Sequence, residues 1–332
     1  MSQFVGPKNR LLLSPETGVP LRYASDGERM VPGARRVEAS VGHPCVVCGQ
    51  VQPTALGPPE LAHLARCRAC GMVSVRDLPT EETLSLVYSE SYFRSAESQL
   101  VGYDNYEADH LNIRRTSERR LRLIGRHSRP PGRLLDVGCA LGFFLQQAQR
   151  QGWGVAGVDV SSYAVEYVKK HIGCEVYCGE LDTTYYPEGT FDVVTMWDVI
   201  EHMRDPFVQL SHCHHVLRAG GILALSTPDI SSLVARMTGP RWMGFKLADE
   251  HLHYFSRSTL RQLLGRAGFE LVDSMHIGKH VTIRFFLKRL GMYAPKLAAM
   301  LSDVVRDSRL AHVPIYVNPR DIVCVVARKA AT

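Results

Sequence analysis

The sequence lacks any run of about 18 apolar residues, so it offers no helix able to span a bilayer. Its first residues, Met1-Ser2-Gln3-Phe4-Val5-Gly6-Pro7-Lys8, carry no long apolar stretch of the kind a secretion signal needs, and a cytoplasmic location is expected. Internal repeats and low-complexity tracts are also missing. A strong charge imbalance is absent as well. The net charge of +6 is spread over 332 residues, a mild excess that could suit a phosphorylated or nucleic-acid substrate but marks neither. Cysteine is present, nine in all, yet five of them (Cys139, Cys174, Cys178, Cys213, Cys324) are scattered singly. In a reducing compartment these read as small core residues, not as a disulfide framework. With 45% apolar and 22% charged residues the chain has ordinary globular composition, and its length allows more than one domain.

The four remaining cysteines form two matched clips, Cys45-Val46-Val47-Cys48-Gly49 and Cys67-Arg68-Ala69-Cys70-Gly71, with 18 residues between Cys48 and Cys67. Two residues between ligands let both thiolates of a clip reach one ion, and the trailing glycine permits the turn beneath it. This is the pattern of a tetrahedral zinc site with Cys45, Cys48, Cys67 and Cys70 as metal ligands. A redox C-x-x-C is the competing reading, and the second, matched clip argues against it. A site closed by four thiolates has no open coordination position, so its expected role is structural. A segment this short would draw much of its folding energy from the metal.

Further on, Leu134-Leu135-Asp136-Val137 is a short apolar run of the kind a buried parallel strand shows, followed by the turn Gly138-Cys139-Ala140-Leu141-Gly142 and a helix from Phe143 to Gln151. Glycines at such a junction allow a ligand close to the backbone, and the helix start offers free N–H groups. The dinucleotide pattern of glycines at G, G+2 and G+5 fails here, because Ala140 and Phe143 occupy the second and third places. A second strand, Gly154 to Val160, ends on Asp159, 23 positions after Asp136, where a ribose diol is commonly held. Cys174 to Leu181 reads as a third strand followed by a loop, Phe191–Trp197 as a fourth strand, and Leu217 to Pro228 as the close of a helix on Gly220-Gly221 running into a fifth strand. Strand alternating with helix gives an α/β fold, a doubly wound and mostly parallel sheet. Phe269–Val272 and Ile322–Ala327 complete seven strands.

An acid inside the strand end, a glycine two residues later and another four beyond resemble the first motif of class I S-adenosylmethionine-dependent methyltransferases, usually written D-x-G-x-G-x-G. Ala140 departs from it at the middle glycine. Asp198-Val199-Ile200-Glu201-His202-Met203-Arg204-Asp205-Pro206 is similar to the Glu-His motif of the ubiquinone-biosynthesis O-methyltransferase group and its small-molecule relatives. The resemblance implies S-adenosylmethionine as cofactor. Its methionine end would lie on Asp136, Gly138, Cys139, Ala140 and Gly142, its ribose on Asp159 and Val160, and its adenine between Glu180 and Leu181. Trp197 at the fourth strand end and Tyr106 would complete the pocket. Methyl transfer is an in-line displacement that needs alignment and, for a hydroxyl or carbon acid, removal of a proton. His202 and His253 are the candidate bases, with Glu201 orienting His202 or binding substrate; a divalent metal shared by these groups is a further option. His212, His214 and His215 read as a solvated helix surface.

The expected organisation is a loose segment over 1–40, a zinc module over 41–80, a helical linker or lid over 81–128 dense in Tyr88, Tyr92, Tyr103 and Tyr106, and a methyltransferase domain over 129–332. A helical insertion over about 279–313 would cover the substrate. The expected acceptor is a small molecule: a sugar, a natural-product hydroxyl or a lipid-linked intermediate. The alternative is a ribosomal RNA methyltransferase, with Arg35, Arg36, Arg66, Arg68 and Arg76 on phosphates. Against it, the fourth-strand motif is not of the Asn/Asp-Pro-Pro-Tyr type, no cysteine stands at a nucleophile position, and the clips carry few aromatics to stack on bases. A non-enzymatic binding scaffold is the third option, opposed by the intact Asp136, Asp159 and Glu201-His202 set. Oligomeric state is not legible.

Overall fold

The structure, a computed structural model, describes residues 11–13, 20–22, 44–51, 53–57, 59–79, 93, 109–246, 250–305 and 308–330. The chain divides into two compact units, 1–41 and 42–332. In the first, β1 (Leu11–Leu13) pairs antiparallel with β2 (Pro20–Arg22).

The second unit opens on an antiparallel meander of β3 (Pro53–Ala55), β4 (Leu64–Cys67) and β5 (Val73–Val75). Helix α1 (His110–Ile124) leads into the alternating region. Its elements are β6 (Gly132–Val137), α2 (Phe143–Arg150), β7 (Trp153–Asp159), α3 (Ser162–His171), β8 (Glu175–Cys178), β9 (Phe191–Trp197), α4 (Pro206–Val216) and β10 (Leu217–Pro228). There follow α5 (Leu233–Thr238), α6 (Met243–Lys246), β11 (His253–Tyr254), α7 (Arg257–Arg266) and β12 (Phe269–His276). The last elements are β13 (Lys279–Thr282), α8 (Ile283–Leu290), α9 (Pro295–Val305), β14 (Pro314–Val317) and β15 (Ile322–Lys329).

Seven strands make the central sheet in the order β12-β15-β10-β9-β6-β7-β8. From β10 to β8 all neighbours are parallel, and β15 runs antiparallel to both β10 and β12. The expected mostly parallel, seven-stranded sheet is what forms. Leu134, Leu135 and Val137 of β6 are buried between helical layers, which is why that strand reads as a continuous apolar run. Each such fully buried leucine contributes about 1.5–3 kcal/mol relative to exposure. Helix starts are set by local chemistry. Ser161 caps α3, Asp205 caps α4 ahead of Pro206, and Ser256 with Thr259 forms a capping box on α7. Because β6 is flanked by β7 on one side and β9 on the other, the connections leave it in opposite directions and open a crevice beyond the strand ends.

Two boundaries differ from the sequence expectation. Helix α4 ends at Val216, and Gly220-Gly221 lie inside β10, where the pairing with β9 shifts register between Leu217 and Ile222. The insertion does not begin as a helix: β13 and β14 pair antiparallel and close its base, with α8 and α9 between them. The expected lid falls mostly on residues outside those described, Tyr88, Tyr92, Tyr103 and Tyr106 among them. Phe93 is described, buried against Leu141 and Ala164 with its ring 5.8 Å from Tyr163. No helix among the described residues is long and apolar enough to cross a membrane.

The meander is joined to the sheet's crevice by a strand that the sequence did not announce. β11 pairs with β5, the Val75 N–H donates to the Leu252 carbonyl at 2.9 Å, and the Leu252 N–H donates to the Glu201 carbonyl at 2.8 Å. Val47, Cys67 and Met72 share one apolar cluster with Leu135, Met196 and Phe255, so the cysteine module and the large sheet have a continuous core.

Candidate functional site

The turn after β6 is held by close packing and by one carboxylate. Gly138 adopts φ +73° and Gly142 φ +72°; a Cβ would lie 2.5 Å from Val199 Cγ2 at the first and 2.9 Å from Val168 Cγ2 at the second. Ala140 tolerates φ +48°, a left-handed conformation costing an L-residue about 1 kcal/mol. Its amide explains why it stays there: the Ala140 N–H donates to Asp159 Oδ2 at 2.7 Å, while the Ser161 N–H donates to Oδ1 at 2.9 Å. Asp159 thereby ties the turn to the end of β7, and burial raises its pKa. Each oxygen keeps a second lone pair, and Asp159 lines the crevice, so hydroxyl donors can still reach it. Asp136 lies deeper, accepting a 2.6 Å bond from Thr195 Oγ1. Burial pushes its carboxyl up to about 8, against the opposing effects of Thr195 and Arg120.

At the end of β9, Asp198 sits at φ +60°. Its carboxylate accepts from Ser226 Oγ (2.9 Å), Lys279 Nζ (2.9 Å) and Arg120 Nη2 (3.0 Å), and Arg120 lies over the Trp197 ring at 4.6 Å. Burial alone would raise this carboxyl, but the Lys279 and Arg120 cations overcome it and hold the group well below the usual range. Glu201 follows in a short 3-10 turn and is 1% exposed. Its pKa is pushed up to about 8 by burial and by the Asp198 charge. His202 Nδ1 lies 2.9 Å from the Glu250 carbonyl and His251 Nδ1 lies 3.2 Å from the Gly244 carbonyl. A carbonyl only accepts, so each Nδ1 carries the proton and each Nε2 keeps its lone pair. Burial lowers the His202 pKa to about 4 and that of His251 well below its ordinary value, leaving both rings neutral at pH 7. Donor atoms of Glu201, His202 and His251 all lie within 4.8 Å of one another, close enough for one divalent cation to bridge.

These strand ends open into a cavity of about 950 Å3. It is lined by the Gly138 turn, Asp159, Val160, Glu180 and Leu181, by Val281, Phe285, Phe286, Leu290 and Tyr293 of the insertion, and by Trp197, Asp198, Glu201, His202 and His251. The lining thus combines polar groups from the strand ends with apolar side chains from the insertion.

The two cysteine clips come together as the spacing predicts. Sγ atoms of Cys45 and Cys70 are 3.5 Å apart, those of Cys48 and Cys67 are 3.6 Å apart, and all four lie within 4.8 Å of one another. A tetrahedral ion with Zn–S near 2.3 Å sets its sulfurs roughly 3.8 Å apart, so these donors fit zinc.

Of the sequence candidates, the structure brings Asp136, Gly138, Cys139, Ala140, Asp159, Val160, Glu180, Leu181, Trp197, Glu201 and His202 to the cavity wall. Gly142 stands behind it, at the start of α2 against Val168. Tyr106 lies outside the described residues. His253 is placed elsewhere. It belongs to β11, is 2% exposed, pairs through Nδ1 with Ser74 Oγ at 2.9 Å, and does not line the cavity. Its neighbour two residues back, His251, takes the place at the wall. His212 is half-buried on α4 and is not simply the solvated helix surface expected, since its Nδ1 donates to the Leu181 carbonyl at 2.6 Å. The sequence reading also passed over Arg120, Lys279 and Gln209. Each reaches the site from a distant element, and none stands in a motif.

Comparison with known proteins finds relatives of this sequence. Residues 108–274 match the family model described as a methyltransferase domain. A Mycolicibacterium smegmatis protein named "Probable S-adenosylmethionine-dependent methyltransferase" is 29% identical over 145 residues, 43% of this chain and 54% of that protein. The ubiquinone biosynthesis O-methyltransferase of Coxiella burnetii is 25% identical over 174 residues, 49% of this chain and 71% of that protein. The chain therefore spans about half the length of the first relative. The crystal structure of an S-adenosylmethionine-dependent methyltransferase from Archaeoglobus fulgidus aligns with a TM-score of 0.46 at 18% identity, over 68% of this chain and 99% of that one.

Proposed function

The chain belongs to the methyltransferase-domain family, and from that premise we propose that it transfers the methyl group of S-adenosylmethionine to a small-molecule acceptor, with a structural zinc ion held by its cysteine clips. The observation that carries this reading is the single cavity in which the Gly138 turn, Asp159 and Glu180 meet His202 and Glu201. Residues 41–80 act as the zinc module, and 129–332 as the catalytic domain with the 279–313 region as substrate cover.

When bound, the donor supplies an electrophilic methyl group on a sulfonium sulfur. The Gly138–Ala140 backbone and Asp136 hold its methionine end, Asp159 accepts from the ribose hydroxyls, and Glu180 and Leu181 flank the base. The apolar side chains from α8 orient the acceptor and exclude water. His202 is fixed by its bond to the Glu250 carbonyl and kept unprotonated by burial. Its Nε2 is the group that takes the acceptor's hydroxyl proton as the oxygen attacks. Glu201, 4.0 Å from His202 Nε2, is mostly protonated near neutral pH and adds no second negative charge there. The four thiolates of Cys45, Cys48, Cys67 and Cys70 would hold zinc, which stiffens the meander. Through β5 and β11 the meander fixes Leu252 and, beside it, His251.

Incubating the full chain with methyl-labelled donor and separated pools of RNA, glycan precursors and small-molecule extract tests the reading. Label in a small-molecule or glycan pool is expected; label confined to RNA would replace it with the RNA methyltransferase alternative.

A further inference from the structure

Apolar side chains that the fold leaves in solvent gather in one place. Of the thirteen large ones exposed among the described residues, seven fall between Tyr293 and Tyr316, in the insertion. Helix α9 is their centre. Eight of its eleven residues, Pro-Lys-Leu-Ala-Ala-Met-Leu-Ser-Asp-Val-Val, are apolar, yet only Ala298 is buried. Leu297, Met300 and Val304 are 46%, 59% and 75% exposed, at steps of three and four that set them in one stripe along the helix. The 3-10 turn Arg309–His312 packs beside α8 and α9, and Leu310 and Val313 there are exposed as well. α9 thus presents to water the kind of face a globular helix normally buries, and such a patch marks an interaction surface.

The charges on α9 indicate what fits that face. Its cation, Lys296, stands one residue before Leu297, and its acid, Asp303, one residue before Val304. Seven residues are close to two full turns, so both charges lie on the same flank of the stripe, at opposite ends. A second α9 laid antiparallel about a two-fold axis at Met300 brings Lys296 of each helix to Asp303 of the other. The same register sets Leu297 against Val304 and Met300 against Met300. In a parallel pair, Lys296 would meet Lys296 and Asp303 would meet Asp303, like charge against like. A bilayer suits the helix less well. A helix lying in a membrane surface carries Lys and Arg along its polar face, whereas α9 has one cation and one acid. Arg284, Lys288 and Arg309 on the neighbouring elements make an anionic bilayer the competitor that a test must separate.

We propose that α9 is a homodimerisation face, on which two copies of this chain pair their α9 helices antiparallel about a two-fold axis near Met300. The contact bears on the cavity, because α9 packs on α8, and Phe285, Phe286 and Leu290 of α8 line that cavity. Pairing braces this part of the lining from outside. Nothing in the contact depends on what the cavity binds.

The test is sedimentation equilibrium of the full chain in zinc-replete buffer, from about 1 to about 100 micromolar, the range suited to a small contact. A reversible monomer–dimer equilibrium is expected. Met300→Glu sets two carboxylates face to face at the axis and should raise the dissociation constant about 100-fold or more, with the circular dichroism spectrum unchanged. Lys296→Glu alone and Asp303→Lys alone should each weaken association roughly fivefold to tenfold, since each turns both cross-pairs into like charges. The two together should restore it, which only the antiparallel pair allows. A chain that stays monomeric throughout, a dimer indifferent to Met300→Glu, or a double swap that fails to rescue the single ones overturns the proposal. So does a monomeric chain whose binding to phosphatidylglycerol vesicles is abolished by Met300→Glu, a result that assigns the face to a membrane.

Discussion

Glu201 gives the structure a pH signature that one substitution should erase. Burial and the Asp198 charge raise its carboxyl from 4.5 to about 8. The native state therefore favours the protonated form, and the penalty is absent below the unfolded value. It grows as pH rises from 4.5 toward 8, because the unfolded chain releases the proton and the folded chain does not. Integrated between about pH 5 and pH 8, this amounts to about 3 kcal/mol of lost stability from one group. Glu201→Gln keeps the shape and stays neutral throughout. Urea unfolding of both proteins, in zinc-replete buffer across that range, should show the Gln variant gaining about 3 kcal/mol relative to its parent toward the alkaline end. Asp136, also raised to about 8, is common to both proteins and drops out of the difference. Curves that run parallel across the range would refute the picture of Glu201 as an enclosed neutral acid.

Other outcomes follow from the same geometry. Cys67→Ser should lower bound zinc, measured by mass spectrometry of metal content, and raise hydrogen exchange in both β5 and β11, because the two strands share hydrogen bonds; unchanged exchange in β11 would contradict that coupling. Gly138→Ala should weaken donor binding through its left-handed φ, worth about 1–2 kcal/mol, and through the clash with Val199; Val199→Ala in the same chain should recover the clash part, by titration calorimetry. His202→Asn should reduce turnover about 100-fold or more with donor affinity retained, while His253→Asn should lower the melting temperature and leave turnover nearly intact. Equal kinetic losses at the two histidines would reverse their assignments.

What the sequence disclosed was local. β6 announced itself because Leu134, Leu135 and Val137 are buried on both faces of a parallel strand, and the turn after it because Asp136, Gly138 and Gly142 stand at a recognisable spacing. The cysteine cluster was legible for the same reason: four thiols in two short stretches. Residues assembled by the fold were not. Lys279 meets Asp198 from β13, Arg120 meets it from α1, and Ser74 meets His253 across 179 positions. His253 and His251 look equivalent in the sequence. Only the pairing of β11 with β5 decides that His253 is spent on Ser74 while His251 faces the cavity. Ala140 is instructive in the other direction. The motif favours glycine there because φ is positive, and alanine persists because its N–H is bonded to Asp159.

The most direct test of the account is equilibrium dialysis of labelled S-adenosylmethionine against the full chain, with unlabelled S-adenosylhomocysteine and NAD as competitors and Asp159→Ala as control. Saturable binding of one donor per chain, displaced by S-adenosylhomocysteine but not by NAD and lost in the variant, is the predicted result. Displacement by NAD, or undiminished binding without the Asp159 carboxylate, would contradict it.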